Sequence, residues 1–113
     1  MVENYVLATD PRGLPVHFSK ERWDWITLKH PDLLTKNITS SHIKRAIEKP
    51  AEGCIFSSNN KKYKNCSLYY LRISPYLQIR VVVNYTNDIG EVLTAHFLKD
   101  RSHGEEIIWM KGK

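Results

Sequence analysis

Acidic residues are the scarcer charge in this chain, and cysteines and long apolar runs are scarcer still. Each shortage excludes something. No apolar run reaches the roughly 18–20 residues that a membrane-crossing helix needs. The opening stretch MVENYVLATD has no basic segment leading into an apolar one, so no secretory signal is expected. Two cysteines, Cys54 and Cys66, are too few for a disulfide-stapled scaffold, and no histidine pair stands at metal-ligand spacing from them. They read either as thiols in a reducing cytoplasm or as a bridge across two neighbouring strands. Asp and Glu number 12 against 17 Lys and Arg, a net charge of +5 and a pI near 9.3. That excludes an acidic solubility tail and makes an anionic partner worth considering. The 113 residues, 42% apolar and 26% charged, suit a single domain over 1–113 able to bury a core. Residues 1–52 are nearly balanced, with 8 basic and 7 acidic groups, whereas 53–100 carry 6 basic and 3 acidic.

YVLAT and LPVHF are short β-prone runs, and Asp10-Pro11-Arg12-Gly13 between them is turn chemistry, which predicts a hairpin. Pro15 points its second strand towards a sheet edge. Ser19 is a suitable N-cap for a helix from Lys20, with Trp23, Ile26, Thr27 and His30 on one face and Pro31 closing it. A second helix starts near Thr39-Ser40-Ser41, carries Ile43, Ala46 and Ile47 as its apolar stripe, and stops at Pro50. After Gly53 the period becomes alternating. Strands are expected over Cys54–Ser57, Ser67–Ser74, Tyr76–Tyr85 and Glu91–Leu98, with Asn87-Asp88-Ile89-Gly90 as the last turn. Ile107-Ile108-Trp109 is a fifth strand or a docked tail. The expectation is α+β: an N-terminal hairpin and two short helices packed on one face of a four-stranded antiparallel sheet.

Alternation assigns the faces. Leu77, Ile79, Val81 and Val83, with Leu93, Ala95 and Phe97 and with Tyr69, Leu71 and Ile73, should meet the helices. The complementary sets put Tyr70, Arg72, Arg80, Thr94 and His96 on an open face of three adjacent strands. Arginine offers forked, permanently charged donors to phosphate, and imidazole shuttles protons near pH 7. A tyrosine ring can stack on a base. RNA cleavage without metal needs a base for the ribose 2′-hydroxyl, an acid for the leaving 5′-oxygen and cations for the phosphate. The same polar mixture is also what the solvent face of an ordinary antiparallel sheet carries.

The remaining candidates divide the same way. His30 stands at a helix C-terminus, where capping or packing competes with catalysis. His42 borders the second helix's stripe as a filler, and His17 and His103 read as solvated. Lys61, Lys62 and Lys64 form either a solvated loop or an electrostatic grip on a phosphate backbone, to which Lys99 adds a further cation. Trp23, Trp25 and Trp109 read as core and tail anchors. No metal site and no cofactor is expected.

The stretch FSKERWDWITLKHPDL resembles the FS-x-x-RW-x-H-I-x-x-x-HP-(D/E)-L signature of small nucleases in the barnase–EndoU–colicin–RelE group, including its phage-associated and toxin-like branches. IKRAIEKP, the pair Tyr69-Tyr70, YLQIRVVV and GEVLTAHF follow in the same order, so the resemblance runs from about Phe18 to Trp109. It implies a RelE- or barnase-like fold and a metal-independent endoribonuclease, toxin–antitoxin toxins among them, binding RNA on the open sheet face. His30 matches the HP histidine, and Thr94 and His96 lie in the TA-(Y/H)-F strand; Arg72 and Arg80 match more loosely. The group's W-x-H is W-D-W here, so Trp25 replaces a histidine and any scheme using that histidine is absent. The expected function is therefore RNA cleavage, with His96 or His30 moving protons, Arg72 and Arg80 on the phosphate, and Thr94 and Tyr70 orienting the substrate. The alternatives are a non-catalytic RNA- or ribosome-binding module and an interaction domain docking an acidic antitoxin or immunity protein. The sequence leaves the oligomeric state open.

Overall fold

The computed structural model describes residues 6–57, 66–99 and 105–112. Seven strands, β1 (Val6–Thr9), β2 (Pro15–Phe18), β3 (Cys54–Ser57), β4 (Cys66–Ser74), β5 (Leu77–Thr86), β6 (Ile89–Leu98) and β7 (Glu106–Met110), form one sheet in the order β1-β2-β6-β5-β4-β3-β7. The helices are α1 (Lys20–Lys29), the single turn α2 (Asp32–Thr35) and α3 (Ser40–Glu48), followed by a 3-10 turn at Ala51–Gly53. No helix among the described residues is long and apolar enough to cross a membrane.

The expected four-stranded antiparallel sheet, and with it the RelE- or barnase-like architecture, is incorrect: the sheet is seven-stranded, mixed and curled into a half-barrel. The hairpin does not stand apart but joins the sheet, because β2 pairs in parallel with the start of β6, Val16 with Gly90 and His17 with Glu91. Ile107-Ile108-Trp109 is a strand, adding a seventh member beside β3. Nor is β2 an edge. Pro15 is its first residue and lies opposite Thr9, while pairing with β6 begins only at Val16, so the missing N–H falls outside the second ladder.

The curl follows from what α3 touches. That helix packs against β1, β4 and β5. In a flat sheet β1 and β4 would stand roughly 19 Å apart, at about 4.8 Å per strand, too far for one helix to reach both. The sheet wraps α3 instead, and Ile43, Ala46 and Ile47 fill the concavity with Val16, Ile26, Ile79 and Val81. Polar ties hold the wrap closed. Asp10, at the end of β1, accepts from the N–H groups of Arg12 and Leu14 through Oδ1 at 2.9 and 3.0 Å. Its Oδ2 accepts from the Tyr69 hydroxyl on β4 at 2.9 Å, and Arg12 reaches Ser67 and Tyr69 at 3.2 Å each.

Local signals are met closely. Ser19 Oγ accepts from the N–H of Arg22 at 3.1 Å, capping α1. His42, expected as filler, completes a capping box on α3: its Nδ1 accepts from the N–H of Thr39 at 3.0 Å. Asn87 and Asp88 both hold positive φ, 52° and 65°, so a two-residue turn joins Thr86 to Ile89 and β6 starts earlier than expected.

The two faces are not core and solvent but two cores. Leu68, Tyr70 and Val82, with Cys54, Phe56 and Cys66, bury a second cluster on the side expected to be open. A bulge between Val82 and Val83 makes Leu93 the extra residue of β6. It returns Val92 to the first core and turns Leu93 to the second, the reverse of the simple alternation. The cysteines are both buried and free. Phe56 pairs with Leu68, so Cys54 comes level with Tyr70, four residues along β4 from Cys66. That is roughly 13 Å along a strand, whereas a disulfide needs about 4.4–6.8 Å between Cα atoms. Burial pushes the Cys66 thiol up.

Candidate functional site

Register places one row of side chains across three strands: Tyr70 on β4 pairs with Arg80 on β5, which pairs with His96 on β6. Residues directly opposite share a face and have Cβ atoms roughly 5 Å apart. In this row they are wired together. Arg80 Nε donates to His96 Nε2 at 3.1 Å, and Arg80 Nη1 donates to Glu105 Oε2 at 3.0 Å. The Tyr70 hydroxyl donates to the same carboxylate, 2.6 Å from Oε1 and 2.7 Å from Oε2. Side-chain exposure is 12% for Arg80 and 2% for Glu105, so the ion pair is withdrawn from solvent. Burial, reinforced by the Glu105 carboxylate, pushes the Tyr70 phenol well above its usual range. Because Nε2 of His96 accepts a hydrogen bond, the neutral ring holds its proton on Nδ1.

The other wall is α1. After Phe18 the chain leaves the sheet, and α1 runs beside the part of β6 that β2 no longer pairs. Arg22 Nη1 donates to the carbonyl of the bulge residue Leu93 at 3.4 Å. The helix ends at His30, whose N–H bonds to the carbonyl of Ile26, and whose backbone leaves the helical region ahead of Pro31. That end brings the His30 ring to 5.5 Å from the His96 ring, centroid to centroid, at an interplanar angle of 39°.

Between the walls lies a cleft of about 540 Å³. Helix α1 contributes Arg22, Trp25, Lys29 and His30; the strands contribute Arg80, Leu93, Thr94 and His96. Three of these side chains carry permanent positive charge and none is acidic. Glu105 is not among the lining residues, and it offsets part of the charge of Arg80 from behind. Such a cleft favours an anion, and its two imidazoles give it proton-transfer capacity.

Of the residues expected to act, His30, Arg80, Thr94 and His96 line this one cleft. Arg72 does not. It lies two residues further along β4, exposed, with Nη1 donating to the carbonyl of Pro75 at 3.3 Å. Tyr70, expected to stack on a base, is 2% exposed, with its ring edge-on to Phe56. Lys99 follows the end of β6, where its carbonyl accepts from Gln78 at 3.3 Å, and it does not line the cleft. Lys61, Lys62, Lys64 and His103 lie outside the described residues. No group of three His, Cys, Asp or Glu side chains among the described residues could hold a metal ion.

The chain matches no protein-family model, no curated protein and no solved structure. Any functional reading therefore rests on the geometry of this cleft and the chemistry of its residues.

Four participants escaped the sequence reading. Arg22, Trp25 and Lys29 sit at i, i+3 and i+7, a helical face as regular as the one through Trp23 and Ile26; that spacing was the available signal. Trp25 is 43% exposed rather than an anchor, whereas Trp23 and Trp109 pack against the first core. Glu105 had no signal. It stands in a short polar stretch, and only the tertiary fold makes its carboxylate a buried partner.

Proposed function

We propose that the protein is an endoribonuclease that cleaves RNA by attack of the ribose 2′-hydroxyl on the adjacent phosphate. The observation that carries this reading is the pairing of His30 and His96 beside Arg80 in one cationic cleft. His30 accepts the proton of the 2′-hydroxyl as its oxygen bonds to phosphorus. The bond from phosphorus to the 5′-oxygen breaks, and the imidazolium of His30 returns its proton to that oxygen, while His96 lines the cleft beside Arg80. The products are a 2′,3′-cyclic phosphate and a free 5′-hydroxyl. Arg80, held by Glu105, donates to the phosphate oxygens as charge builds on them, the role fixed cations play in such transition states. Thr94 supplies a hydroxyl beside His96 for orientation.

Base, acid and cation are thus all residues of this chain, and the scheme calls on no metal. The resemblance to small nucleases enters as support for the chemistry and not for the fold. Three of the resembling segments, FSKERWDWITLKHPDL, YLQIRVVV and GEVLTAHF, supply the two walls of the cleft. The cytoplasm is the compartment that fits this reading, since RNA is present there and two unpaired thiols stay reduced.

The test is incubation of purified protein with single-stranded and structured RNA in excess EDTA, with the termini of any product identified. Cleavage leaving 2′,3′-cyclic phosphate ends is expected, with none from the 2′-deoxy analogue. His30→Ala and His96→Ala should each lower the rate by a factor on the order of 10²–10⁴. Absence of cleavage, or a His30→Ala/His96→Ala double variant as active as the parent, refutes the assignment. Salt-dependent RNA binding without product would make the cleft a docking site only, and capture of an acidic antitoxin alone would make it a protein interface.

A further inference from the structure

We infer that Trp25 is a stacking platform for a nucleobase, so that the ligand of the site is a single-stranded RNA segment of at least two nucleotides. The inference rests on the reading of the cleft as an RNA site and extends it to the form of RNA that fits. Its first support is where Trp25 stands. A second cavity of about 490 Å³ adjoins the cleft, and the two share only Arg22 and Trp25. Each is large enough for one small ligand unit, and the indole stands at their common border. Its helical neighbours Ile26 and Thr27 are buried, yet Trp25 leaves 43% of its surface exposed.

The second support is the setting of the ring. The Arg22 guanidinium carbon is 5.0 Å from its centroid and the Lys29 ammonium 5.1 Å. Neither cation has an acidic partner among the described residues. An exposed indole set between cations is the combination that binds unpaired bases, with the ring stacking and the cations following the backbone. The cavities also differ in sign. The second one is lined by Glu21 and Glu91, with His17 and Ser19, so its carboxylates repel phosphate and accept hydrogen bonds from base edges. The phosphate therefore stays with His30, Arg80 and His96, the adjoining base lies on Trp25, and its edge enters the second cavity. A base held that way has left its duplex partner, which is why the segment must be single-stranded.

Binding of an uncleavable 2′-O-methyl RNA octamer tests this without reference to cleavage. At fixed salt, Trp25→Ala should weaken binding by a factor on the order of 5–150, the range for one lost stacking contact, and Trp25→Phe should retain most of the affinity. Octamers with an abasic nucleotide at each position in turn should show a matching loss at one position for the parent, and no further loss there for Trp25→Ala. The same octamer in a duplex should bind more weakly and be indifferent to the substitution. Melting temperatures check that both variants fold. Equal affinity of parent and Trp25→Ala overturns the inference, as does an abasic loss of equal size in both, or no binding of the octamer at all. Failure of the cleavage reading looks different: 2′-hydroxyl RNA yields no product while Trp25-dependent binding persists.

Discussion

Replacing Glu105 by alanine is the sharpest test of how the site is held. The carboxylate is 2% exposed and its partner Arg80 12%, at an Nη1–Oε2 distance of 3.0 Å. Removing it takes away the carboxylate 3.0 Å from a largely buried guanidinium and deprives the Tyr70 hydroxyl of its acceptor. Breaking one side of a buried ion pair costs roughly 3–5 kcal/mol, because the remaining charge stays desolvated. The orphaned hydroxyl belongs to the same network, so its cost overlaps with that figure and does not simply add to it. For a chain of 113 residues the loss corresponds to a fall in Tm of roughly 10–20 °C. Glu105→Gln keeps an acceptor for Tyr70 but not the charge, and should lose about 1.5–3 kcal/mol, the range for a hydrogen bond to a charged group. Urea unfolding with an unchanged m-value measures both. The decisive variant is Arg80→Met/Glu105→Ala, in which both charges of the pair are gone: it should be more stable than Glu105→Ala alone. A loss below about 1 kcal/mol for Glu105→Ala, or a double variant equal to the sum of its parts, would refute the account.

Two further outcomes follow from burial elsewhere. The phenols of Tyr69 and Tyr70 are raised by burial first and by their hydrogen-bonded neighbours next. Below about pH 10 both folded and unfolded chains keep these protons; above it only the unfolded chain releases them. The stability contribution is therefore complete below that pH and declines above it, by up to about 1.4 kcal/mol per pH unit for each phenol. Urea midpoints measured in the alkaline range should fall more steeply for the parent than for Tyr70→Phe, and parallel curves would contradict the assignment. At Gly90 a methyl group would lie 2.7 Å from Tyr85 Cε1 and 2.8 Å from Val83 Cγ1. Gly90→Ala should cost roughly 1–3 kcal/mol as overpacking, read as a lower Tm; an unchanged Tm would mean that the Tyr85 ring yields freely.

The parts of the fold readable from the sequence were those set by neighbouring residues. Ser19 and Thr39 cap the helices because their side chains reach N–H groups two or three residues on. Pro31 and Pro50 end them for equally local reasons, and Asn87-Asp88 tolerate the positive φ that a tight turn demands. What escaped was pairing between distant segments. Nothing near Pro15 announces that β2 will lie beside β6, some 75 residues later. Counting four strands in the sheet was a consequence, since the hairpin joins only through β2 beside β6, and Glu106–Met110 gains its place from Cys54–Ser57.

The site shows the same division at finer grain. Alternation put Arg80 and His96 on one face correctly because β5 and this part of β6 keep an unbroken register. It erred at Val92 and Leu93, where one bulged residue inverts the period. That bulge is part of the site: Leu93 lines the cleft, and its carbonyl receives Arg22, which places α1 and hence His30 beside His96. Burial of Tyr70 follows from a second core that alternation cannot foresee, because a two-sided core and a polar outer face differ only in what covers them. A lone arginine on a solvent face would be mobile and hydrated. Arg80 is instead fixed between Glu105 and His96, and the carboxylate that fixes it arrives from the far end of the sequence. The cationic character of the cleft was therefore legible in composition, but the fixing of Arg80 against an imidazole was not, because it depends on Arg80 and Glu105 meeting across 25 residues of chain.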